Sequence, residues 1–155
     1  NSYPLLTTID RMSLVKSTWH HLKAFAGAPE AINRLRTKYM VVVLTILSLE
    51  SIVSSSKAAK VQWDGILSCE FLGYYKPSLQ AYLKGTSLLG LKSAETMMVA
   101  AHTGDLAAAQ TAGMHTAYVN VPEKDNMSEG FEEPSETNFD IEANDFETLC
   151  KKLQV

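Results

Sequence analysis

The chain has 155 residues, a length that suits one compact domain. Hydrophobic residues make up 46% of it, which excludes global disorder. A formal net charge of -3 argues against the broad basic face of a nucleic-acid-binding protein. The longest apolar run, residues 39–49, is too short to cross a bilayer, which takes ~20 residues, and no signal-peptide pattern opens the chain. Two distant cysteines, Cys69 and Cys150, form no C-x-x-C pair, so a reduced, cytoplasmic protein without membrane or nucleic-acid partners is expected.

In chain order, residues 9–22 space Ile9, Met12, Leu14, Val15, Trp19 and Leu22 as an amphipathic helix. AFAGA (24–28) breaks it, and Pro29 opens a second helix with Ile32 and Leu35 inward. MVVVLTI (40–46) is β-branched and continuously apolar, so it predicts a strand buried on both faces of a parallel sheet. Residues 48–60 follow as a helix capped by Ser48, and GILS (65–68) as a short strand. Lys76-Pro77 ends a loop, and 78–90 form a helix with Leu79, Tyr82, Leu83 and Leu89 on its apolar side. TMMVAA (96–101) predicts a strand, Asp105 to Gly113 an Ala-rich helix closed by glycine, and HTAYVNV (115–121) another strand. Residues 122–137 read as an acidic, solvated loop, and 143–153 as a final helix with Asn144 at its N-cap.

Strands alternating with helices imply βαβ units, a parallel sheet and helices on both faces. In such sheets ligands bind beyond the carboxyl ends of the strands. The residues to examine are therefore Thr45 to Ser48, Ser68 to Lys76 and Ala101 to Asp105. The four histidines show no zinc-ligand spacing, GTSLLG (85–90) lacks a strand–Ser–helix elbow, and no metal site is expected.

Three pieces fall in that zone: VVVLT (41–45), SCEFLGYYKP (68–77) and AAHTGD (100–105). With their flanks, 61–82 and 97–123, they resemble the haloacid dehalogenase superfamily, nearest its (S)-2-haloacid dehalogenase (type II) branch, from about Trp19 to Glu123. The resemblance implies a Rossmann-like parallel sheet with flanking helices, an α/β core spanning 23–155, with 1–22 a remnant of a helical cap. It assigns catalytic roles to Lys76, Asp105 and Thr45, and places Ser68, His102 and Ile46 at the substrate. Thr45 and the N–H groups of its turn would hold an anionic oxygen, although Ile46-Leu47 stand where the branch usually carries Asn-Gly. Lys76 would keep an attacking carboxylate ionised. On local physics alone Asp105 reads as the N-cap of its helix. Superfamily phosphatases carry a magnesium-binding acid where this chain has Ala101, so no metal or cofactor is expected.

The resemblance further implies an attacking aspartate on a first strand ending in Asp-x-x-Gly-Thr. None is identified in this chain, and Asp10 is followed by no Gly-Thr. An unpaired slot between the strands near 40–45 and 96–101 is therefore expected, along with the loss of most of the cap. The slot would be covered by homodimerisation or by association with an N-terminal segment. The function implied is hydrolysis of the carbon–halogen bond of a 2-haloacid or related small acid, with the chain inactive by itself. Two alternatives stand beside it, a non-catalytic binding or assembly module and a phosphatase of the same superfamily.

Overall fold

The computed structural model describes Ser13, residues 22–121 and residues 138–155. Most of the expected first helix and cap remnant, and the whole acidic loop 122–137, lie outside the described residues.

Helix α1 (Ala28–Arg36) has Pro29 in its first turn and buries Ala28, Ala31 and Leu35, while Ile32 is only half-buried. Strand β1 (Val42–Thr45) leads to α2 (Leu49–Ala58), whose N-cap Ser48 accepts the N–H of Ser51 as expected. Strand β2 (Gly65–Ser68) runs straight into a single helical turn, α3 (Cys69–Leu72), closed by Gly73 at φ 78°. Only glycine adopts that conformation without cost.

Helix α4 (Leu79–Leu88) turns a face of Ala81, Tyr82, Gly85 and Thr86 inward. Leu79, expected on that face, is exposed. After a 3₁₀ turn at Ser93–Glu95 come β3 (Met97–Ala100), α5 (Thr103–Thr111), β4 (His115–Val119), β5 (Ile141–Ala143) and α6 (Phe146–Lys152). Strand β5 is unforeseen by the sequence reading, and the cap of α6 is Asp145, which accepts the N–H of Thr148 at 2.6 Å, rather than Asn144.

All strand pairs are parallel, but the strands fall into two sheets, β1–β2 and β3–β4–β5. Among the described residues no strand pairs with the second edge of β1 or of β3. This corrects the expectation that the apolar run at 40–46 is buried on both faces, since every residue of β1 is only half-buried. A strand lined on one side only cannot be fully covered, whatever its composition.

Two apolar clusters hold the fold. One packs α1 and α6 against the second sheet through Ala31, Leu35, Ala117, Val119, Ala143, Leu149 and Cys150. The other joins the two sheets: Leu44 of β1 and Met98 of β3 meet around Tyr82 of α4 and Ala109 and Ala112 of α5. Cys69 and Cys150 are buried free thiols, as the absence of any pairing pattern suggested.

Candidate active site

Parallel strands bring their carboxyl ends to one rim. In the β1–β2 ladder Thr45 stands opposite Ser68, and in the second sheet the chain leaves β3 at Ala101 and enters α5 through His102. The loop after α3 and the first turn of α5 meet above that rim in a compact polar cluster.

Its centre is Asp105, the third residue of α5 and not its N-cap, a position that falls to His102 without a side-chain cap bond. Lys76 Nζ donates to Asp105 Oδ2 at 2.7 Å, with both side chains about one-fifth exposed. The Tyr82 hydroxyl donates to Asp105 Oδ1 at 2.5 Å. Both carboxylate oxygens thus have a fixed donor. Burial of Tyr82, and then its hydrogen bond to Asp105, push the phenol far above its ordinary range, so it stays protonated and remains a donor. Lys76 spends one of its three protons on Asp105, and the other two have no acceptor among the described residues.

Sequence reading placed Tyr82 only on the apolar face of its helix. A tyrosine six residues after the lysine, 1% exposed, has to find a partner for its hydroxyl. That requirement was the available signal.

The turn after β1 is built by side chains. Thr45 Oγ1 accepts the N–H of Leu47 at 3.1 Å, which leaves the Thr45 proton with no acceptor among the described residues. Ser68 Oγ donates to the carbonyl of Leu47 at 2.6 Å and accepts the N–H of Glu70 at 3.2 Å. Glu70 Oε2 in turn accepts the N–H of Leu49, the first residue of α2, at 2.9 Å. The N–H groups of Leu47 and Leu49 are thus satisfied from within the protein and do not wait for an anionic oxygen. Ser68 is 0% exposed and its hydroxyl is committed to the turn. Ile46 is 57% exposed just after β1, and His102 is exposed in the chain leaving β3.

Ala101, where the family resemblance puts the first of the two phosphatase acids, packs against the α1–α6 cluster. Among the described residues no group of three or more His, Cys, Asp or Glu could hold a metal ion, and no helix is long and apolar enough to cross a membrane. Thr103 Oγ1, in the first turn of α5, is buried without a partner among the described residues. A shallow groove of about 320 Å³, lined by Lys23, Pro29, Glu30 and Lys60 among others, lies at the far end of α2 and touches none of these residues.

The family model for haloacid dehalogenase-like hydrolases matches residues 5–119. A solved L-2-haloacid dehalogenase superimposes with a TM-score of 0.84 at 27% identity, covering 96% of this chain and 65% of its own. A defluorinating L-2-haloacid dehalogenase gives 0.84 at 28%, covering 96% and 60%. The enzyme from Xanthobacter autotrophicus, solved with chloropropionic acid covalently bound, shares the fold at a TM-score of 0.79 and 16% identity, covering 99% of this chain and 69% of its own. The chain thus spans slightly less than two thirds of the length of the first two. A comparison with curated proteins finds no match.

Proposed function

The chain belongs to the haloacid dehalogenase-like hydrolases, and from that premise we propose that it carries the lysine–aspartate half of a dehalogenase active site, the attacking carboxylate coming from outside these 155 residues. The observation that carries the reading is the Lys76–Asp105–Tyr82 cluster above the carboxyl rim. In the proposed reaction a carboxylate oxygen attacks C2 of a small 2-haloacid. The carbon–halogen bond breaks, and the halide leaves with the bonding pair. Water hydrolyses the resulting ester, giving the 2-hydroxy acid, a proton and the regenerated carboxylate.

Lys76 keeps the attacking carboxylate ionised and attracts the substrate anion. Asp105, gripped by Tyr82, fixes where the ammonium stands. The Thr45 proton offers a further donor to the substrate carboxylate, with His102 and Ile46 bordering it. The second edges of β1 and β3 take a further strand, from an added segment or through a second copy of the chain. By itself the chain turns nothing over.

The test adds a strand ending in Asp-x-x-Gly-Thr, fused or in trans, and measures chloride release from 2-chloropropionate. Release that disappears with Lys76→Met is expected. Completed protein that is folded yet releases no halide sinks the reading and favours a binding module. Magnesium-dependent hydrolysis of a phosphate ester would favour a phosphatase, against which Ala101 speaks.

A further inference from the structure

Four hydrogen bonds fix the turns after β1 and β2, the second and fourth of them crossing from one turn to the other: Leu47 N–H to Thr45 Oγ1, Ser68 Oγ–H to Leu47 O, Glu70 N–H to Ser68 Oγ, and Leu49 N–H to Glu70 Oε2. None belongs to a strand ladder or to the interior of a helix. The two middle bonds share one atom, Ser68 Oγ, which is sealed from solvent. The last brings a carboxylate from the β2 side onto the amino end of α2, where helices favour negative charge.

From this brace we infer that Ser68 and Glu70 are positioning residues for substrate carboxylate binding at Thr45. The inference rests on the proposed reading of the rim as a small-acid site. A threonine hydroxyl rotates freely unless something claims its lone pairs. Here the Leu47 N–H claims one, so the single Thr45 proton must point elsewhere. The Leu47 N–H holds its own place because Ser68 grips the carbonyl of the same residue, and Glu70 pins Leu49 two residues on. The brace supplies, by side-chain bonds from across the sheet, a fixed turn at a place where Ile46 and Leu47 offer no polar side chain of their own. It also fills the amino end of α2 with a protein carboxylate, so the Leu49 N–H is committed within the protein, whereas the Thr45 hydroxyl proton and two Lys76 protons have no acceptor among the described residues.

The test uses the whole 155-residue chain and sodium propionate, titrated by amide NMR with Ile46 and Leu47 as reporters. Propionate binding that is lost in Lys76→Met is expected of the parent chain. Glu70→Ala and Glu70→Gln remove the same charge, but only the glutamine keeps an oxygen that accepts the Leu49 N–H. Their difference therefore reads the hydrogen bond and not the charge. Glu70→Ala should bind propionate roughly three- to tenfold more weakly than Glu70→Gln, the scale of one lost hydrogen bond. Its Leu49 amide should exchange faster with solvent, while the melting temperature stays within about 2 °C because the side chain is at the surface. Ser68→Ala should lose affinity and stability together, since it strands a carbonyl. Equal propionate affinity in the two Glu70 variants overturns the inference and leaves the site reading intact. A parent chain that does not bind propionate overturns the site reading, and the inference with it.

Discussion

Strands β1 and β4 invert the usual relation between composition and burial. β1 is Val-Val-Leu-Thr and every residue is only half-buried, whereas β4, His-Thr-Ala-Tyr-Val, has Thr116 and Ala117 at 0% and Val119 at 1% exposure. The difference is position. β4 has a strand on each side and α5 and α6 against it, while β1 has β2 alone among the described residues. Burial is conferred by neighbours, and an apolar strand with one neighbour shows which environment it is suited to.

The comparison can be broken most forcefully by placing a charge in each sheet. Ala117→Asp in β4 should cost about 4 kcal/mol or more, enough to abolish folding, because an unpaired carboxylate cannot be hydrated there. Val99→Asp in β3, at a position 39% exposed, should cost distinctly less. Urea unfolding of both variants checks this, and equal losses would show that the second edge of β3 is covered after all.

The next effect concerns the junction between the sheets. Tyr82→Phe keeps the ring among Leu44, Met98 and Ala109 but deprives Asp105 of a donor. A loss of about 1–2 kcal/mol in thermal or urea unfolding is expected. A neutral result would mean that the ring alone joins the sheets.

The smallest effect is a change in pH dependence. Asp64 accepts the N–H of Val41 just before β1 and pairs with Arg36, and these bonds hold its carboxyl below the usual carboxylate value. A depressed folded value means that the stabilisation is complete above the unfolded value, about 3.9, and is lost as pH falls through the lower folded one. Asp64→Asn should flatten the acid limb of the stability profile and leave the profile above about pH 5 parallel to that of the parent. An unchanged acid limb would show that this tie contributes nothing to β1.

The contrast also explains what was legible beforehand. Strands β1 to β4 carry β-branched or apolar runs between turn residues, and local pattern suffices to place them. Strand β5 is three residues long, Ile-Glu-Ala, too short for a period to register. Asn144 and Asp145 are equally good capping residues, and the choice depends on which one reaches the Thr148 N–H. Lys76 and Asp105 were singled out through the family resemblance, and the fold brings their side chains together. The commitments of Ser68, Glu70 and Tyr82 were not legible, because their bonds link residues about twenty positions apart or turn on a buried hydroxyl, which no periodicity reports.

The inner face of α4 has an evolutionary consequence. A methyl group added at Gly85 would rest 3.7 Å from Leu67 Cδ1 and 3.8 Å from Leu44 Cδ1, ordinary contact distances. Alanine is the better helix former by up to about 1 kcal/mol. The lineage therefore holds an unused increment of stability one codon change away, on the helix that delivers Tyr82 to its acid.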